Sequence, residues 1–119
     1  MKRGEIWIAH MGAGFGSEQA GKRPVLIIQN DVGNQYSPTV IVAAMTDRDK
    51  RYMPTHVDVD VREGLMKPST VLLEQIRTID KKRLEKKIST LTEERMREVD
   101  RAIKISFGLI PVRGGEQDA

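Results

Sequence analysis

The sequence predicts a mainly β domain, a small barrel of short strands with one C-terminal helix packed against it. Three observations carry this. Five apolar stretches of strand length follow one another, glycine-rich or polar connections separate them, and a single stripe of three-to-four-residue period stands near the C-terminus. At 119 residues the chain is the size of one domain with one core.

The first strand is expected over residues 5–10 and the second over 23–30, where Val25-Leu26-Ile27-Ile28 reads as buried on both faces. Between them lie Gly12, Gly14, Gly16 and Gly21, a loop rather than a tight hairpin. A third strand is expected over residues 38–46, and its Val40-Ile41-Val42-Ala43-Ala44 run also reads as doubly buried. Its connection, residues 31–37, carries Gly33 and Asn34. In the fourth, over 55–60, Val57, Val59 and Val61 alternate with Asp58, Asp60 and Arg62, as in a strand with one wet face. The fifth is expected over 69–79, after Gly64 and Pro68.

Helical period appears last. Met96, Val99, Ile103, Phe107 and Ile110 form the apolar stripe, Thr92 is the expected N-cap, and Glu93 and Glu94 complement the helix dipole in the first turn. Gly108 and Pro111 end the helix. The domain is therefore expected over residues 1–110, with residues 111–119 a polar, glycine-rich, disordered tail.

Composition removes several classes of function. Hydrophobic residues make up 39% and charged residues 31%, ordinary values for a folded globular protein. There is no cysteine, so disulfides, thiolate nucleophiles and cysteine-ligated metals are excluded. No apolar run approaches the ~20 residues of a membrane helix, and Met1-Lys2-Arg3 leads into Gly4-Glu5, so a cytoplasmic protein without membrane attachment is expected. The net charge is +3, and the excess of basic residues lies wholly in the second half. Six of them (Arg77, Lys81, Lys82, Arg83, Lys86, Lys87) fall between positions 77 and 87, a density that suits either a polyanion or a solvated loop.

Two motifs mislead. Gly16 to Lys22 fits the start of a phosphate-binding G-x-x-x-x-G-K-[ST] loop, but Arg23 fails its last position and Arg23-Pro24 opens a strand, not a helix. His56 and Asp58 share one strand face without a third metal ligand at suitable spacing, and His10 stands alone at a strand end. No cofactor or metal is expected.

The informative segment is the polar loop Phe15-Gly-Ser-Glu-Gln-Ala-Gly-Lys-Arg-Pro-Val-Leu-Ile-Ile-Gln-Asn-Asp31, which runs straight into a strand opened by Arg23. With Val42-Ala-Ala-Met-Thr46 and Leu73-Glu-Gln-Ile-Arg-Thr-Ile-Asp80, in that order, the chain resembles the MazF/PemK toxins, including EndoA-type enzymes, from about residue 1 to 110. The resemblance implies an SH3-like barrel and a homodimer with single-stranded RNA across its interface. It also implies a cognate antitoxin whose flexible segment occupies the same groove. The family's catalytic arginine falls on Arg23 and its catalytic threonine on Thr46. Positions assigned to RNA binding fall on Phe15, Ser17, Glu18, Gln19, Gln75 and Arg77. The proton acceptor is left open.

The function so implied is a sequence-selective, metal-independent endoribonuclease, a growth-inhibiting toxin that cuts RNA through attack of the 2′-hydroxyl on the adjacent phosphorus. Arginine suits this chemistry because its planar fork of donors matches two phosphate oxygens. A guanidinium is a poor base near neutrality, so Arg23 is assigned electrostatic stabilisation ahead of proton delivery. Thr46 can add a hydroxyl donor. Phe15 is the best base-stacking candidate, Glu18 can accept from a base amino group, and Trp7 reads as core. The alternatives are a protein-binding toxin like the gyrase poisons, which share the barrel but need no catalytic arginine, and a non-catalytic RNA-binding barrel.

Overall fold

A computed structural model describes residues 1–48 and 51–112. The tail expected to be disordered lies, from residue 113 on, outside the described residues. In chain order the elements are β1 (Glu5–His10), β2 (Lys22–Ile27), α1 (Asp31–Tyr36), β3 (Thr39–Asp47), β4 (His56–Val59), β5 (Ser69–Asp80), β6 (Leu84–Thr90) and α2 (Glu93–Ser106). Short 3₁₀ turns, Val61–Glu63 and Lys81–Arg83, follow β4 and β5.

The six strands form one antiparallel sheet in the order β4-β5-β3-β2-β1-β6. It curls into a half-barrel. Ile6 of β1, Val57 and Val59 of β4 and Ile88 of β6 come from distant parts of the sheet, yet they meet in one core with Leu26, Met45, Val71 and Leu73. Helix α2 adds Val99 and Ala102 to that core, with Met96 and Ile103 packed beside it. On the opposite face Ala9, Val25, Ile27, Val40, Val42 and Ile79 form a second cluster, against which Trp7 packs half-buried. β2 and β3 are thus covered on both sides, as their apolar runs require. Burying each such Val or Leu contributes about 1.5–3 kcal/mol.

Several local expectations change. Ile41 is 37% exposed, so the β3 run is not buried throughout. Val61 does not continue β4: it lies in a 3₁₀ turn and is 47% exposed. The connection 31–37 holds α1, capped by Asn30, whose Oδ1 accepts from the Gly33 amide at 2.8 Å. The basic segment contains β6, an edge strand paired with β1. α2 starts as expected, with the Arg95 amide donating to Thr92 Oγ1 at 3.1 Å. It stops at Ser106, so Phe107 is 60% exposed and lies outside the buried stripe; Gly108, at φ +74°, turns the chain away.

Candidate nucleic-acid interface and active site

β2 and β3 pair with Val25 opposite Ala44, Leu26 opposite Ala43 and Ile27 opposite Val42. Extending that register by two residues sets Arg23 across from Thr46, on the face that carries Val25 and Ala44. Both side chains are half-buried and line one cavity of about 610 Å³. Arg23 Nε donates to the Ala20 carbonyl at 3.2 Å, which anchors the side chain to the loop before β2. Neither Nη nitrogen has a partner among the described residues, so the outer fork faces the cavity unspent. The Thr46 hydroxyl is likewise unengaged among the described residues.

The walls are apolar at Ile8, Pro24, Met45, Leu65, Met66 and Ile88. Charge on them is one-sided, with Lys22, Lys67, Lys86 and Lys87 joining Arg23 against Asp47. Three of those lysines are tied to carboxylates: Lys22 to Glu85 at 2.8 Å, Lys67 to Asp47 at 3.1 Å and Lys87 to Glu5 at 3.2 Å. Lys22's hydrogen bond holds the Glu85 carboxyl below the usual carboxylate range, and the charges of Lys22 and His10 add to this. Such a concave, cationic, partly dehydrated surface suits a phosphodiester.

A second cavity, about 420 Å³, adjoins it along β3, where Ala44 lines the one and Met45 and Thr46 the other. Glu18, Gln19, Gln75 and Arg77 all line this second space, together with Glu74. Residues 11–21 form its rim. They are cinched at the neck by Met11 N to Gly21 O at 2.8 Å and Gly21 N to Gly12 O at 2.7 Å. The loop rests on an irregularity in β5: Ala43 pairs with Ile76 but Ala44 pairs with Leu72, so the intervening residues bulge out of the ladder. Gln75, on that bulge, spends both ends of its amide on the loop. Its Oε1 accepts from Gln19 N at 3.0 Å, and its Nε2 donates to Ser17 O at 3.0 Å. Arg77 Nη1 donates to the Met11 carbonyl at 3.1 Å, bracing the neck. Glu18 Oε1 accepts from the Phe15 amide at 2.8 Å, and the Phe15 ring stands 88% exposed at the tip.

The residues singled out in the sequence therefore fall into two adjoining groups, Arg23 with Thr46 and the loop residues with Gln75 and Arg77. Neither histidine itself lines either cavity. His10 Nε2 is 3.2 Å from Glu85, His56 Nε2 is 2.9 Å from Glu74, and Asp58 accepts from Thr70 Oγ1 at 2.9 Å. Among the described residues no three His, Asp or Glu side chains converge as a metal site would require. Sequence reasoning missed Lys86, Lys87 and Glu74 as cavity residues. The basic run was the available signal for the lysines, but only the β1–β6 pairing brings them beside Arg23.

A family model described as the PemK-like, MazF-like toxin of type II toxin–antitoxin systems matches residues 2–107. Among solved structures, the Mycobacterium tuberculosis toxin MazF-mt6 is 30% identical, with a TM-score of 0.75 over 87% of this chain and 96% of that one. A mycobacterial endoribonuclease solved with its cognate antitoxin is 23% identical, with a TM-score of 0.79 over 94% of this chain and 99% of that one. MazF from Deinococcus radiodurans, 22% identical, superposes with a TM-score of 0.78 over 91% and 96% of the two chains. The last two likenesses establish the fold, while the family model spans nearly the whole described chain. The chain belongs to the PemK-like, MazF-like toxins of type II toxin–antitoxin systems.

Proposed function

We propose that this chain is a sequence-selective, metal-independent endoribonuclease for single-stranded RNA, the growth-inhibiting toxin of a pair whose antitoxin competes for the same groove. The observation that carries this reading is the placement of Arg23 and Thr46 on one face of adjacent strands, at the wall of a cavity rich in lysine. Belonging to the toxin family supports it. So does the structural likeness to a mycobacterial endoribonuclease that binds a cognate antitoxin. As the family resemblance implies, the chain acts as a homodimer in the cytoplasm.

The scissile phosphate lies in the cationic cavity. The 2′-oxygen bonds to phosphorus as it gives up its proton, the P–O5′ bond breaks, and O5′ takes up a proton. Products are a 2′,3′-cyclic phosphate and a free 5′-hydroxyl. Negative charge builds on the non-bridging oxygens in the transition state, where the outer fork of Arg23 and the Thr46 hydroxyl bind them more tightly than in the substrate. Because the nucleophile already sits beside the phosphorus, no metal-bound water is required. Phe15, at the loop tip, offers a stacking plane to a splayed base, Glu18, Gln19, Gln75 and Arg77 line the cavity beside it, and Ser17, whose carbonyl accepts from Gln75, presents its hydroxyl from the same loop.

The test is cleavage of a short single-stranded RNA in excess EDTA, with the ends of the products identified. Cleavage that persists and leaves cyclic phosphate is expected. A strand carrying deoxyribose at the cut site should bind and stay whole. Activity that needs added magnesium, or cleavage of the deoxy-substituted strand, would overturn the mechanism.

A further inference from the structure

The two adjoining cavities differ in charge. The one beside Arg23 is cationic, whereas the loop-side cavity is lined by two carboxylates, Glu18 and Glu74, and one guanidinium, Arg77. A carboxylate repels phosphate, so those in the loop-side cavity are suited to a different part of an RNA chain.

Glu74 is the more firmly held of the two. Thr55 Oγ1 donates to its Oε1 at 2.9 Å, and His56 Nε2 lies 2.9 Å from its Oε2. The His56 side chain is only 6% exposed, and its buried Nδ1 has no partner among the described residues. An ionised carboxylate can only accept, so the ring serves Glu74 through an Nε2–H. Each oxygen of Glu74 then has one donor and a further lone pair unspent. Its neighbour Gln75 already ties both ends of its amide to the loop.

We propose that Glu74 is a base-reading residue, accepting a hydrogen bond from the exocyclic amino group of an unpaired nucleobase in the loop-side cavity, with Thr55 and His56 as positioning residues. Adenine, cytosine and guanine carry such a group. Uracil does not, because its one imide N–H lies between two carbonyl oxygens that would face the carboxylate. The pocket thus admits amino-bearing bases and rejects uracil at one position of the target. This inference rests on the reading of the chain as an RNA nuclease.

The test uses Arg23→Ala protein, which should keep its RNA, with a pool of short single-stranded RNAs of random sequence. Retained molecules are sequenced. Uracil should be depleted roughly tenfold at one position, since a single well-made hydrogen-bond contact to a base edge discriminates to about that degree. Adding Glu74→Gln, whose amide can donate to a carbonyl, should remove the depletion at that position and no other. Thr55→Val should relax the same position, and Thr55→Ser should restore it. Depletion that survives Glu74→Gln, or retention without any depletion, overturns the proposal. Cleavage of the same pool by the unsubstituted protein reports separately on the nuclease: no cleavage with the base preference intact sinks that reading alone.

Discussion

Arg95 holds both carboxylate oxygens of Glu63, Nε to Oε1 at 3.0 Å and Nη2 to Oε2 at 3.1 Å. This fork joins α2 to the turn that follows β4. The same turn meets β6, because Ser89 Oγ donates to the Glu63 carbonyl. Edge strands β4 and β6, unpaired with each other in the sheet order, are thereby brought together through Glu63, and the half-barrel is drawn round its core.

Glu63→Gln should therefore destabilise the fold in a pH-dependent way. Burial pushes the Glu63 carboxyl up, but the Arg95 hydrogen bonds, the Asp60 amide and the charge of Arg95 together outweigh it and hold the group below its usual range. A carboxyl lowered in the folded state contributes stability that is fully present above its unfolded value of about 4.3 and is lost as pH falls through the folded value. The deficit of Glu63→Gln, about 1–3 kcal/mol at neutral pH for one charge-assisted contact, should shrink as pH drops below about 4. Urea unfolding of both proteins across that range is the measurement. A constant gap would assign the effect to packing.

Gly64→Ala tests the same closure from the backbone. Gly64 has φ +94°, and a Cβ there would lie 2.5 Å from Ser89 Oγ and 2.8 Å from Ser89 Cβ. The backbone strain is worth about 1–2 kcal/mol and the overlap about 1–3 more. Ser89→Gly in the same chain should recover the overlap and leave the strain, so a double-mutant cycle should show coupling of about 1 kcal/mol or more. Independent costs would mean that the turn and β6 do not touch.

Much of this architecture was legible in advance because buried strands carry their own signature. β1 falls at the expected residues, and β2, β3, β4 and β5 lie close to theirs, since their apolar runs record burial directly. β6 was hidden because Glu85, Lys86 and Lys87 interrupt Leu84 and Ile88, and an edge strand beside solvent tolerates that. α1 was hidden by Gly33 and Asn34, residues that ordinarily mark turns; here Asn34 is buried and its amide donates to the Gln29 carbonyl at 3.0 Å. Arg23 and Thr46 were singled out through family resemblance. That they share a face is a fact of register, and the bulge that presents Glu74 and Gln75 depends on pairing between distant strands, which no local pattern encodes.

Gln75→Ala should free the loop without unfolding the barrel. Two hydrogen bonds tie residues 17 and 19 to β5 through this one side chain, and both are lost. Amide hydrogen exchange over residues 12–21 should accelerate several-fold while the β2 and β3 amides stay protected, and global stability should change by about 1–2 kcal/mol at most. Gln75→Glu keeps the acceptor for Gln19 and loses the donor to Ser17, so its loop should exchange at an intermediate rate. Unchanged exchange in Gln75→Ala would show that the neck bonds alone hold the loop.

The decisive variant for the proposed chemistry is Arg23→Ala. A donor that acts mainly on transition-state charge should, when removed, lower the rate far more than the affinity; at ~3–4 kcal/mol for one well-placed donor the chemical step should slow roughly a hundredfold to a thousandfold. Lysine should rescue little, for a reason visible at the side chain. Arg23 spends Nε on the Ala20 carbonyl and keeps its outer nitrogens for the cavity, whereas one ammonium can neither anchor itself there nor grip two phosphate oxygens in parallel. Thr46→Ala should act in the same direction but more weakly, since a neutral hydroxyl stabilises less charge than a cation. Single-turnover cleavage and equilibrium binding of one short RNA, measured side by side, separate the cases. Equal losses in rate and affinity for Arg23→Ala would make it a binding residue, and the share of catalysis assigned to it would have to come from Lys86 or Lys87, which line the same cavity.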